Sequence, residues 1–154
     1  CTLLRIFCNQ MERIDKSNVT TAKDVEAMKL INAYANFLKK SGKIELPKLH
    51  DLMRTKVFSE YSPYDNDWYF IRCAAIARHL YMRPNVGVKS LRDAFGSRHR
   101  NGVRHQFHDR ANGNIIRHCL HNLEAMGLVE SSEKGGRRLT KAGYKDLDLM
   151  ARQL

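Results

Sequence analysis

The sequence lacks paired cysteines, long apolar runs and enough acidic residues to balance its basic ones. Its four cysteines are Cys1, Cys8, Cys73 and Cys119. None forms a Cys-x-x-Cys pair and two lie in apolar helical patterns, which is typical of a reduced intracellular protein rather than a disulfide scaffold. The only apolar run near the N-terminus, residues 3–7, is interrupted by Arg5 and is far shorter than a signal-peptide core or a membrane span. We therefore expect no membrane partner.

The sequence also lacks the residue combinations that catalysis requires. It contains no evident nucleophile beside a base, no catalytic carboxylate pair and no phosphate-binding glycine loop. Asp65 and Asp67 are interpreted as helix-capping residues. The alternative is a nuclease in which His105 or His108 acts as acid or base, but no carboxylate is evidently placed to pair with either histidine. The paired ligand spacing of a structural zinc site is missing, and Cys119 falls on the buried side of a predicted helix. We expect no enzyme, cofactor, metal ion or small-molecule substrate.

Positive charge is what the sequence has in excess. It has 154 residues, 43% of them hydrophobic, with 27 Lys and Arg against 16 Asp and Glu, for a formal net charge of +11. This length predicts one domain with a real core. A folded domain this basic is typical of proteins with a polyanionic partner, although charge that only maintains solubility is the alternative.

Helical periodicity begins after an N-terminal extension. Residues 1–18 show no steady period and are predicted to be a loosely ordered extension, whereas residues 19–154 form the domain. The chain begins at Cys1, and Met11 is a candidate native start that N-terminal sequencing would test. A first helix is predicted from a Thr21–Asp24 capping box to a stop at Gly42, and a short second helix over residues 47–53.

The rest of the domain is predicted to end in a winged-helix arrangement. Further helices are expected over residues 66–83, 88–95 and from Asn112 or Asn114 to Gly127, with an unpatterned basic loop over residues 97–110. A hairpin around Gly135 and Gly136 then precedes a last helix capped by Thr140. The predicted fold class is mainly α: a helical bundle, winged-helix-like, with one short β-hairpin as the wing.

Basic side chains form three candidate RNA-binding groups. The first runs along the central helix and beyond it, where only Asp93 opposes the charge: Arg72, Arg78, His79, Arg83, Lys89, Arg92, Arg98, Arg100 and Arg104. The second is the loop itself, where guanidinium and imidazole planes and Phe107 suit stacking on unpaired bases. The third is Arg117 with the wing residues Lys134, Arg137 and Arg138. The alternative is that these are solvated side chains whose stems cover the core.

Four ordered blocks resemble a known family. The blocks are FLKKSGKIELP, SPYDNDWYFIRCAAIARHLYMRPNVGV, FGSRHRNGV and GGRRLTKAGYKDLDLMA. Together they resemble the S19e family of eukaryotic and archaeal small-subunit ribosomal proteins over residues 19–154. The resemblance implies a mostly helical, winged-helix-like protein in the head of the small subunit, bound to ribosomal RNA near its 3′ end. It also implies a role in maturation of the subunit precursor, with transit through the nucleolus to cytoplasmic ribosomes in a eukaryote.

The resemblance also assigns roles to individual residues. It implies that Trp68 is a packing anchor and that the central helix binds RNA through Arg72, Arg78 and His79. In the loop it implies RNA contacts for Arg98, Arg100 and Asn101. The expected partners are small-subunit ribosomal RNA and neighbouring ribosomal proteins. The alternative function is a dimeric winged-helix DNA-binding regulator that reads a palindromic duplex with the helix containing Arg117.

Overall fold

A computed structural model describes residues 20–133 and 135–154. The extension predicted over residues 1–18 and the wing residue Lys134 lie outside the described residues. Within the described ranges the helices are α1 (Ala27–Ser41), α2 (Trp68–Met82), α3 (Val88–Ala94), α4 (Gly113–Ala125) and α5 (Lys141–Arg152). Two antiparallel hairpins are present, β1 (Ser97–His99) with β2 (Phe107–Asp109) and β3 (Val129–Ser131) with β4 (Arg137–Leu139). The predicted mainly helical, winged-helix-like fold is confirmed.

The first predicted helix begins later in the structure than expected, and the second is much shorter than expected. Thr21 and Asp24 close a turn, in which Asp24 Oδ2 accepts hydrogen bonds from the Thr21 backbone N–H at 2.9 Å and its hydroxyl at 2.8 Å. Helix α1 begins later, at Ala27, and ends as predicted at Gly42, which has φ of +64°. The helix predicted over residues 47–53 is only one turn of 3-10 helix, His50–Leu52. The apolar side chains of Leu49 and Leu52 are exposed and gain little packing from the described residues, which leaves little to stabilise a longer helix.

Helix α2 is the centre of the bundle. It contacts α1, α4, α5 and strand β4. Eight of its fifteen residues are buried, which confirms the prediction from its broad apolar circumference. It ends at Met82 because Arg83 precedes a proline and adopts an extended conformation. No helix in the described part of the chain is long and apolar enough to cross a bilayer.

Helix α4, the hairpin β3–β4 and helix α5 form the predicted winged-helix unit. Asn112 caps α4 through a hydrogen bond from the Asn114 backbone N–H at 3.0 Å, and the Thr140 hydroxyl caps α5 by accepting from Gly143 N–H at 3.2 Å. The wing is attached to the α2–α3 connection, because Val86 and Arg137 exchange two backbone hydrogen bonds of 3.1 and 3.0 Å. The wing therefore has a fixed position relative to α2.

The segment predicted as an unpatterned loop, residues 97–110, is instead a second β-hairpin. Ser97 pairs with Asp109 and His99 with Phe107. Each strand is only three residues long, and most of its side chains are exposed. The hydrophobic alternation that marks a half-buried strand is consequently absent from the sequence.

Candidate nucleic-acid interface

The basic residues of α2 are partly packed against the protein. The Arg72 guanidinium lies over the Phe95 ring, 4.7 Å from its centroid, and burial lowers the pKa of this arginine. The Arg78 Nε and the His79 Nδ1 are both buried and have no hydrogen-bond partner among the described residues. Burial, followed by the charge of Arg83, lowers the pKa of His79, so its ring favours the neutral form. Arg83, the residue that follows α2, is exposed.

The β1–β2 hairpin combines exposed cations with aromatic rings. Arg98, Arg100 and Arg104 are exposed, and Asn101 is partly buried in the turn, where its carbonyl oxygen accepts from the Arg104 N–H at 3.3 Å. The His99 ring stacks on Phe58 at 4.7 Å between centroids, and His105 lies 4.8 Å from Phe107. Planar cations beside stacked rings are suited to unpaired bases as well as phosphates.

The wing arginines pair with acidic residues of the same chain. Arg137 forms a two-point ion pair with Glu124 of α4, and both side chains are about three-quarters buried. Arg138 pairs with Glu130 across the hairpin at 2.6 Å, in a more exposed position. The structure thus gives Arg137 an internal partner that links the wing to α4, which the sequence alone does not reveal.

Five cationic residues surround one surface groove of about 410 Å³, which we call the basic groove. They are Arg54, Lys56, Arg92, Arg110 and Arg117. Sequence reasoning singled out Arg92 and Arg117, included Arg110 only as the last residue of the basic loop, and missed Arg54 and Lys56. The signal for Arg54 and Lys56 is not local, because an isolated β-bridge brings Lys56 next to Ala111, far away in the sequence. Lys89 is exposed on α3 but does not line this groove.

The remaining features that the sequence analysis considered are Trp68, the candidate metal ligands and the cysteines. Trp68 is buried at the start of α2 and stacks on His50 with 5.1 Å between ring centroids and an interplanar angle of 15°. Within residues 20–133 and 135–154, no three His, Cys, Asp or Glu side chains are grouped so that they could hold a metal ion. Cys73 and Cys119 are buried, unpaired thiols in the core.

The fold and the distribution of charge are those of a basic winged-helix protein, and a basic surface on such a fold is typical of nucleic-acid-binding proteins. A sequence model of the family described as ribosomal protein S19e matches residues 21–154, which is nearly all of the described chain. The chain therefore belongs to the ribosomal protein S19e family, and the resemblance seen in the four sequence blocks is confirmed.

Individual relatives align over nearly their whole length. Small ribosomal subunit protein eS19B of Schizosaccharomyces pombe is 44% identical over 87% of this chain and 94% of its own. The eS19 protein of Mya arenaria is 46% identical over 87% of this chain and 90% of its own. That of Oryza sativa is 42% identical, with 88% and 92% covered. The described domain is thus the part that these ribosomal proteins share.

Proposed function

We propose that this chain is a structural constituent of the small ribosomal subunit that binds ribosomal RNA and carries out no chemical step. The observation that carries the proposal is the family match over residues 21–154, which includes both hairpins, the basic groove and the basic residues of α2. The net charge of +11 supports a polyanionic partner independently of the match.

The proposed RNA contacts come from three parts of the fold. They are Arg72, Arg78, His79 and Arg83 of α2 and its end; Lys89, Arg92, Arg98, Arg100, Asn101 and Arg104 of α3 and the β1–β2 hairpin; and Arg117, Arg137 and Arg138 of α4 and the wing. Phosphate contacts supply affinity, and the shape of the hairpins determines placement on folded RNA. Arg137 is expected to contribute least, because Glu124 already neutralises it.

The location of the protein in the cell is also a proposal. By its resemblance to the S19e family, we place it in the head of the small subunit, near the 3′ end of the RNA and beside other small-subunit proteins. The same resemblance supports a role in assembly of the subunit and maturation of its RNA precursor. The protein would then act on cytoplasmic ribosomes, after transit through the nucleolus if the source is a eukaryote.

The DNA-binding alternative fits the charge distribution less well. A winged-helix regulator inserts one recognition helix, here α4, into a major groove and usually binds as a dimer. In this chain the exposed cations extend over the end of α2, the β1–β2 hairpin and the basic groove, which is more surface than one groove-facing helix needs. The family match also favours the ribosomal function.

The proposal is tested by incorporation into subunits. We would express the tagged chain in Schizosaccharomyces pombe, whose eS19B is 44% identical, and compare the wild type with the double variant Arg72→Ala, Arg100→Ala. The double variant should sediment with small subunits less than the wild type, because it loses two cations from different parts of the interface. The matched control is Lys23→Ala, Lys40→Ala, which removes the same charge from exposed positions outside the interface. Equal incorporation of all three, with unchanged thermal midpoints, would refute the assigned contacts.

A further inference from the structure

Among the residues that the structure describes, the basic groove is lined by cations and by no acidic side chain. Its walls are the segment that contains Arg54 and Lys56, the Arg92 side chain of α3, and the first turn of α4 with Arg117. Arg110 also lines the groove but pairs at 2.6 Å with Asp93, which does not. Four of the five cations are thus not neutralised by an ion pair with a described residue. Their mutual repulsion is relieved when an anion enters.

Hydrogen bonds between distant segments hold the groove in place. The Ala111 N–H donates to the Arg92 carbonyl at 3.0 Å, and the Asn112 N–H donates to the Thr55 carbonyl at 2.9 Å. The Asn112 side chain donates to the Arg54 carbonyl at 3.2 Å. These contacts join the Arg54 segment and α3 to the start of α4, so the groove is formed before any ligand binds.

The charged side chains are oriented as well as concentrated. The Arg92 Nε donates to the Ala111 carbonyl at 3.1 Å, and the Arg117 Nη1 donates to Asn114 Oδ1 at 2.8 Å. Gly113 allows Arg92 to lie against α4, since an added Cβ would be 3.2 Å from the Arg92 Cδ and Nε. The positive end of the α4 helix dipole faces the same space, because the groove is lined by residues 111–114.

The lining distinguishes between a nucleotide base and a phosphate backbone as the ligand. Proteins that bind unpaired bases stack them on aromatic side chains. The described residues that line the groove include no aromatic ring, and Val57 is the one large apolar side chain among them. The rings lie instead in and beside the β1–β2 hairpin, at Phe58, His99 and Phe107. The groove therefore suits phosphates, and the hairpin suits bases.

We infer that the basic groove binds consecutive phosphates of the ribosomal RNA backbone, with Arg54 and Lys56 as contacts that complete the set formed by Arg92 and Arg117. This inference rests on the proposed function, because it names the part of the RNA that one part of the interface binds. It makes the segment between α1 and α2, and not only the winged-helix unit, a part of the RNA-binding surface.

The test measures how salt changes the affinity for RNA. The probe is small-subunit ribosomal RNA purified from Schizosaccharomyces pombe, and the affinity of the full chain is measured over a range of KCl concentrations. Each lost phosphate contact reduces the slope of log affinity against log salt by about 0.7–0.9. The variant Arg54→Gln, Lys56→Gln should therefore reduce the slope by roughly 1.4–1.8.

Two controls separate a specific contact from a general effect of charge. The variant Lys23→Gln, Lys40→Gln removes the same charge outside the groove and should keep the wild-type slope. The exchange Arg54→Lys, Lys56→Arg keeps the groove charge and should also keep the wild-type slope, which separates loss of charge from replacement of the side chains. Equal urea midpoints of all variants show that they are folded. If the slope falls equally in the groove variant Arg54→Gln, Lys56→Gln and in the control Lys23→Gln, Lys40→Gln, or falls in neither, the inference about the groove is wrong. The proposed function as an RNA-binding protein would still stand. A wild-type chain that fails to bind this RNA would overturn both the inference and the proposed function.

Discussion

Replacing Tyr69 by phenylalanine tests the hydrogen bonds that join α2, α4 and the segment that contains Glu45. The Tyr69 ring is fully buried in α2, and its hydroxyl lies 2.5 Å from His118 Nδ1 and 3.0 Å from Asn122 Nδ2, both on α4. The same Asn122 amide nitrogen donates to the Glu45 carbonyl at 2.8 Å, which fixes the orientation of the amide. Asn122 therefore donates to the phenol oxygen, and the phenol shares a second hydrogen bond with Nδ1 of His118.

The expected cost follows from this geometry. Tyr69→Phe keeps the buried ring and removes only the hydroxyl, so the lost packing is negligible. Two hydrogen bonds disappear, and one N–H of Asn122 and Nδ1 of His118 lose their partner in a half-buried site. We expect the free energy of unfolding to fall by about 1–3 kcal/mol. For a domain of this size, that corresponds to a decrease in melting temperature of roughly 2–12 °C.

The assay is urea denaturation followed by circular dichroism, with Tyr144→Phe as the matched control. Tyr144 is half-buried against Tyr81, but its hydroxyl forms no hydrogen bond to any residue that the structure describes. The control should therefore stay within about 0.5 kcal/mol of the wild type. A double-mutant cycle between Tyr69→Phe and Asn122→Ala should give a coupling energy of at least about 0.5 kcal/mol. A Tyr69→Phe variant as stable as the control would refute this role of the phenol.

Two further predictions concern α5 and its neighbours. Gly143→Ala should lower the free energy of unfolding by about 1–3 kcal/mol, because the new Cβ would lie 2.6 Å from the Leu128 carbonyl oxygen. This steric cost should outweigh the normal preference of a helix for alanine over glycine. A higher urea midpoint than that of the wild type would contradict this prediction. Burial, followed by the 2.8 Å hydrogen bond to Asp148, raises the pKa of Tyr81 to about 12 from its ordinary value of 10.0. The stability that this proton contributes is complete below about pH 10 and is lost as the pH rises through 12, so Tyr81→Phe should reduce the loss of stability measured between these values. An equally steep loss in the variant would show that Tyr81 is not responsible.

The parts of the fold that the sequence predicts well are those with strong local signals. Helix α2 combines a start near Asp67 with a proline stop after Arg83, and α4 combines an asparagine cap with a clear apolar stripe. The wing and α5 follow from the double glycine and Thr140. In each case the local preference and the tertiary packing agree, so local patterns are sufficient.

The parts that the sequence does not predict depend on long-range contacts. The β1–β2 hairpin has almost no buried face. The turn at His50–Leu52 does not grow into a helix because its apolar side chains stay exposed beside the residues that the structure describes. The basic groove forms only when Lys56 pairs with Ala111, and no periodicity encodes that pairing. The Arg137–Glu124 ion pair likewise becomes evident only once the wing is placed beside α4.

The most direct test of the ribosomal function is sedimentation of the native protein. A cell extract from the source organism would be separated on a density gradient, with and without ribonuclease treatment, and each fraction probed for this chain. We predict that the protein sediments with small subunits and that ribonuclease moves it to the top of the gradient. A protein that stays at the top of the gradient as a small, ribonuclease-insensitive species in both samples would contradict the ribosomal function and favour a DNA-binding regulator.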